Sequence, residues 1–254
     1  MFDDIVKVPY TTVPRIQKYE GDLINPFPSK TKMMEKHREL IWESSHKAID
    51  ANFGLSFTSD IARKNRLVHR VCQMLGFDSV YDIVDLGKNI QEDIIIVHHG
   101  RIEAALVVFP SGWNPASAQG KTLQQLHEPV ADGEVLRLAS NRLTQLMCGK
   151  YCYHRWVWTL SSSKYLSAHP VYNVSLQQPP KSLNDLWWRV EHQITFPIRE
   201  GMTSGFLIDV DVTPFMFLSD GQREKIKESI NSMSDAVLQY KKLEDIKQLI
   251  NALQ

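Results

Sequence analysis

The chain changes texture twice along its length. From Thr31 to Ala51 the apolar residues Met33, Met34, Leu40, Ile41, Ala48 and Ile49 fall near helical spacing and predict a helix. A second helix is expected to start at Thr58-Ser59-Asp60, whose hydroxyls or carboxylate can cap free N–H groups. It carries Ile61, Leu67, Val68, Val71, Cys72 and Leu75 and stops at Gly76. A short third helix fits Ser79 to Leu86, capped by Asp78 and stopped by Gly87. β-rich runs then take over. Asp93 to His98 and Ile102 to Phe109 flank His99-Gly100 as a hairpin. Adjacent His98 and His99 would point to opposite faces, so they cannot share a metal and read as an exposed hairpin tip. Pro110 to Gly120 reads as a loop, and Thr122 to His127 and Glu134 to Met147 as helices.

Three more strands follow. Tyr151 to Leu160 puts Cys152, His154, Trp156 and Trp158 on one face and Tyr151, Tyr153, Arg155 and Val157 on the other. In Trp187 to Phe196, Trp188, Val190, His192, Ile194 and Phe196 share a face opposite Arg189, Glu191 and Gln193. Gly205 to Val212 alternates apolar residues with Asp209 and Asp211. A long helical region closes the chain. Ser219 and Gln222 fit a capping box, and Ile226, Ile230, Met233, Val237, Tyr240, Leu243, Ile246 and Ile250 form its apolar stripe. Four prolines within the first 30 residues predict an extended arm. The pattern is α+β: an N-terminal arm and helices over residues 1–89, then about five antiparallel strands with flanking helices over 90–254, together one compact unit.

Composition narrows the function classes. A chain of 254 residues holds one core or two fused lobes. Its 29 basic and 29 acidic residues cancel, which argues against a nucleic-acid footprint or an anionic membrane partner. Three cysteines make no disulfide framework, no secretory signal is visible, and no apolar run approaches a membrane span, so a cytoplasmic protein is expected. Nine histidines and six tryptophans are the unusual counts, and both residue types can surround a flat prosthetic group.

No Walker loop, G-x-G-x-x-G, H-E-x-x-H or G-x-S-x-G string occurs. The most unusual stretch is Phe109-Pro110-Ser111-Gly112-Trp113-Asn114-Pro115, followed by Leu126-His127-Glu128-Pro129-Val130. Pro129 restricts Glu128 and places His127 at or near a helix C-terminus. There its ring is either aimed into a pocket or a surface group favoured by the helix dipole. His192, among Trp188 and Ile194, reads as a hydrogen-bonded core histidine. Cys148 or Cys152 with His154 is a weaker nucleophile arrangement, because strand rise keeps Cys152 and His154 nearly 7 Å apart (about two residues at roughly 3.3 Å each).

An ordered set of strings carries a resemblance. Gln91-Glu92-Asp93-Ile94, the Phe109-to-Trp113 loop, Leu126-His127-Glu128-Pro129-Val130, Arg189-x-Glu191-x-Gln193 and Tyr240-Lys241 occur in one order. Together they resemble the DUF3445 family, the α-subunit type of haem-dependent oxidative N-demethylases, over roughly residues 90–243. The resemblance implies a PAS-like five-stranded antiparallel sheet holding haem b, and oxidation of a small alkylamine with dioxygen. It also implies electrons supplied by a separate flavin or iron–sulfur subunit, since no motif for either cofactor is present here. It makes His127 the axial iron ligand, with Arg189, Trp113 and Trp156 lining the cofactor. Arg189 could pair with a propionate, and Glu191, with Arg155 and His154, would serve the substrate or relay protons. A cross-strand ion pair on a wet sheet face is the alternative for Arg189 and Glu191. The sequence departs from the family where Tyr153 and Arg155 replace an arginine and an asparagine beside Trp156. Ala118 and Ala131 replace a lysine and a proline, and Gln193 to Pro197 is compressed. These departures leave a second function open: a PAS-like haem or small-molecule sensor without turnover.

Overall fold

A computed structural model describes residues 2–13, 15–46, 54–170 and 179–252. Helix α1 (Phe2–Ile5) and strand β1 (Gln17–Lys18) belong to the proline-rich arm. Helix α2 (Lys30–His46) follows; the end of its expected span, to Ala51, lies outside the described residues. Next come β2 (Ser56–Thr58), α3 (Asp60–Lys64), α4 (Leu67–Met74), α5 (Ile83–Gly87) and the hairpin β3 (Asp93–His98)–β4 (Arg101–Leu106). Helices α6 (Leu123–Leu126) and α7 (Glu134–Met147) lead to β5 (Tyr153–Ser161), β6 (Trp187–Arg199) and β7 (Thr203–Pro214). The chain ends in α8 (Asp220–Asn231), α9 (Asp235–Lys241) and α10 (Glu244–Ala252).

The α+β expectation holds, and among the described residues the sheet has seven strands instead of five. All pairings are antiparallel, in the order β1-β5-β6-β7-β3-β4-β2. The five expected strands form its centre. The additions are edge strands of two and three residues, too short to show an alternation in sequence. The β6–β7 hairpin runs beyond its expected ends and turns at Gly201, whose φ of 70° suits a residue without a Cβ. His98 departs from the expected exposed tip: it is buried and shares a hydrogen bond of 2.7 Å between Nδ1 and Thr203 Oγ1.

Three helical expectations are corrected. The helix expected from Asp60 breaks after Lys64, because Arg66 takes a left-handed φ of 53°. The third helix starts at Asp82, whose carboxylate caps the N–H groups of Val84 and Asp85, and it retains Gly87. A Cβ on Gly87 would lie 1.9 Å from a Leu106 methyl, so the glycine serves close helix–sheet packing and does not act as a stop. The long C-terminal helix is three helices, interrupted at residues 232–234 and at Lys242, which has φ 55°.

Two apolar clusters hold these layers. The larger joins Val68, Val71, Ile83 and Leu86 of the N-terminal helices to Ile94, Ile96, Leu106, Leu207 and Phe196 of the sheet. The smaller joins Ile226, Ile230, Val237, Ile246 and Ile250 to Trp158, Leu160 and Val190, and it takes in Ile5 and Val6 from the arm. Most of the C-terminal stripe therefore belongs to the domain's own core.

Candidate functional site

Strands β5 and β6 set the site because their register places Arg155 opposite Gln193, Val157 opposite Glu191 and Thr159 opposite Arg189. Directly paired residues share a face, so Arg155, Arg189, Glu191 and Gln193 lie on one side of the sheet. They form a continuous polar chain. Arg155 Nε donates to Gln193 Oε1 at 2.6 Å, and Gln193 Nε2 donates to Glu191 Oε2 at 2.7 Å. The Ser111 hydroxyl donates to Glu191 Oε1 and accepts from Arg189 Nε at 2.8 Å. Arg189 Nη1 and Nη2 donate to the carbonyls of Leu166 (2.5 Å) and Phe109 (2.7 Å). Arg189 is thus a buried clamp on the Phe109-to-Trp113 loop and joins Glu191 only through Ser111, not as a direct ion pair. Trp113, from the same loop, is half-buried against the larger core.

His127 is the C-cap of α6, whose start is fixed by a reciprocal capping box between Thr122 and Gln125. Its Nδ1 stands 2.7 Å from the Leu123 carbonyl, so Nδ1 carries the proton and Nε2 is left with its lone pair. Burial, with the Arg155 charge adding to it, holds the imidazole pKa down to about 4. The ring is therefore a neutral donor at ordinary pH. Burial also depresses the pKa of Arg155, which feels the charges of Glu191 and Tyr10.

The same alternation divides the expected site residues. His154 and Trp156 lie opposite Ile194 and His192, on the face turned away from Arg155 and Glu191. There His154 Nδ1 and His192 Nε2 share a hydrogen bond of 2.8 Å. Trp156 stacks on His192 with centroids 3.9 Å apart, and Tyr19 packs against both histidines. His192 is accordingly a hydrogen-bonded, half-buried histidine, and burial pushes its pKa down to about 4. His154 and Trp156 are not brought together with Arg155, Arg189 and Glu191. A strand admits only every second residue to one face.

Three residues at the site escaped the sequence reading as functional groups. Lys241 Nζ donates to the Trp158 carbonyl at 2.9 Å, on the outer edge of β5. Tyr240 and Lys241 both feel the Glu191 charge. Tyr10, from the arm, lies beside Arg155 and beneath the Lys241 ammonium. The Tyr240-Lys241 string was available in the sequence, but nothing in the aperiodic arm marked Tyr10.

Among the described residues, no group of three or more histidine, cysteine, aspartate or glutamate side chains is arranged to hold a bare metal ion. A porphyrin-held iron needs only one protein donor, and His127 supplies that type of donor. The fold and this face define an α+β protein with a neutral, oriented imidazole near a cation-rich sheet surface. The chain belongs to the family described as haem-dependent oxidative N-demethylase, alpha subunit-like, which it matches over residues 29–251. No curated protein matches it. The family description points to a haem-dependent oxidative enzyme and to a subunit that works with others. No helix among the described residues is long and apolar enough to cross a membrane.

Proposed function

We propose that this protein binds haem b against the Arg155–Glu191 face, with His127 Nε2 as the axial ligand, and oxidises a small amine with dioxygen. The observation that carries the reading is His127: one nitrogen is committed to Leu123 O, the other is free, and the ring is neutral. The donor set fits the cofactor. Arg155 uses Nε toward Gln193, and its terminal nitrogens suit a propionate carboxylate. The haem would supply redox iron, and electrons would come from a separate flavin or iron–sulfur partner. The five long strands, in the order β5-β6-β7-β3-β4, support the PAS-like reading of the sheet.

The chain's own groups then have distinct tasks. Glu191 presents a carboxylate to an amine N–H or holds a proton, and Ser111 and Gln193 fix its two oxygens. Arg189 holds the loop that carries Ser111 and Trp113, with Trp113 as a wall. His154 and Trp156 support the opposite face and take no part at the iron.

One observation favours a second reading, a haem or small-molecule sensor. Both Glu191 oxygens already have protein partners, which suits a preorganised binding face without turnover. A spectrum of protein expressed with haem supply tests the first step: a Soret band is expected, and it should be lost in His127→Ala. Oxygen-dependent consumption of dimethylamine with a supplied reductant separates the enzyme from the sensor. No Soret band in the parent protein would remove both haem readings.

A further inference from the structure

Across the sheet from the Arg155–Glu191 face lies a pocket of about 260 Å³. One wall is the other face of β6 and β7, where His192 pairs with Asp209 and Ile194 with Leu207. The arm segment from Tyr19 to Pro26 forms a second wall, and Glu92 completes the lining. Glu92 is 4% exposed, and its two oxygens differ. Oε1 accepts from the Asn25 N–H at 2.6 Å, whereas Oε2 is buried and has no hydrogen-bond partner among the described residues. A buried carboxylate oxygen left without a donor is costly, so this position calls for a donor from outside the chain.

The surrounding charges set the sign of that donor. Lys32 stands 2.7 Å from both Asp209 and Asp211 and is spent on them, and Gln91 donates to the second Asp209 oxygen. Lys36 pairs with Asp93 at 3.5 Å and donates to the carbonyls of Ile90, Gln91 and Glu92. Glu92 and Asp22 are the lining carboxylates left without an ion pair among the described residues. Burial raises the Glu92 pKa against the pull of the Asn25 N–H, which is the behaviour of a carboxylate short of a counter-charge. The other walls are apolar or aromatic. The Tyr19 hydroxyl donates to the Asp22 carbonyl at 2.7 Å, and the Tyr19 ring stands edge-on to His192 with centroids 5.8 Å apart. His192 is held in turn by Trp156 and His154. With its pKa pushed down to about 4, the His192 ring is neutral at pH 7 and does not repel a cation.

We infer that this pocket is a second ligand site, which takes a small protonated alkylamine. An ammonium N–H donates to Glu92 Oε2, the alkyl groups lie against Ile194 and Leu207, and the Tyr19 and His192 rings flank the charge. The volume falls below the roughly 300–1,000 Å³ of drug-sized sites, which limits the ligand to a few heavy atoms. The inference does not rest on the haem reading, because the two sites occupy opposite faces of the sheet.

The test is NMR titration of the full-length, cofactor-free protein, with labelled isoleucine and leucine methyls, at pH 7 and constant chloride. Trimethylammonium should shift the Ile194 and Leu207 methyls saturably, with a dissociation constant on the order of 1 mM for so small a ligand. Tetramethylammonium keeps the charge but has no N–H, and tert-butanol keeps the shape without the charge. Each should bind at least about tenfold more weakly. Glu92→Gln should weaken trimethylammonium by a similar factor. Should that variant fail to fold, Tyr19→Leu removes the arm's ring and should weaken it several-fold. Glu191→Gln, on the opposite face, should leave the titration in place. Unshifted methyls would overturn the inference, since water alone would then serve Glu92. So would equal binding of either control ligand, undiminished binding in Glu92→Gln (or in Tyr19→Leu where that stands in), or loss of binding in a folded Glu191→Gln protein. A missing Soret band changes none of these readouts, so failure here and failure of the haem reading are separable.

Discussion

Replacing Arg189 by lysine keeps the charge and removes the planar fork. Arg189 is 4% exposed and spends its three nitrogens on the carbonyls of Leu166 and Phe109 and on Ser111 Oγ. Hydrogen bonds to a charged donor contribute about 1.5–3 kcal/mol each. A lysine ammonium on a different stem cannot reproduce three directions and leaves at least one buried carbonyl without a donor. Part of the gross loss is offset, because the native state no longer holds a desolvated guanidinium in its full geometry. A net cost of about 3 kcal/mol follows, near the low end for breaking a buried charged network. For a chain of this size, that lowers the melting temperature by roughly 6–12 °C, at about 2–4 °C per kcal/mol. Thermal unfolding by circular dichroism at pH 7 reads it, with Arg189→Met measured in parallel. If the clamp is the reason for the arginine, lysine is no better than methionine. A lysine variant that melts within about 2 °C of the parent would refute the reasoning, because charge alone would then suffice.

Other outcomes follow from the same geometry. His127→Ala should abolish the Soret band while changing cofactor-free melting by only a few degrees, since His127 sits half-buried at a four-residue helix. Stability should fall as pH drops from about 6.5 toward 4. His127, His169 and His192 are held near 4 against an ordinary 6.5, so the unfolded chain binds more protons across that window and stability is full only above it. Urea midpoints between pH 4 and 7.5 check this, and a flat profile would contradict it. Gly205→Ala puts a Cβ about 2.2 Å from the fully buried Phe196 ring, so a loss of about 1–3 kcal/mol in urea unfolding is expected.

Legibility in the sequence followed the length of the repeating pattern. Strands β3 and β4 were visible as β-rich apolar runs, β5 to β7 were visible by alternation over nine to thirteen residues, and that alternation assigned Arg155 and His154 to opposite faces. The helix breaks at Arg66 and Lys242 were not visible. Ordinary residues occupy left-handed conformations there, with neither glycine nor proline to mark them. Gly87 misled because a packing glycine and a terminating glycine look alike in one dimension. At the site, Pro129 gave away the placement of His127. The clamp was hidden because two of the three acceptors of Arg189 are backbone carbonyls, which carry no sequence signature. Tyr10 was hidden because contacts more than two hundred residues away, such as that with Ser232, leave no local pattern.

The Lys241–Trp158 contact has a consequence for how copies of this chain avoid one another. Among the described residues, strand β1 pairs with β5 only at Tyr153 and His154, and no other strand pairs along this margin of β5. A lysine whose ammonium occupies a carbonyl of that margin, under an arm tied down at Asp3, Lys7, Tyr10 and Thr12, denies it to strand addition. Loosening the arm therefore has a colloidal outcome as well as a local one. Variants that free Tyr10 should show self-association by light scattering that rises with protein concentration, and restoring a blocking charge at this margin should suppress it.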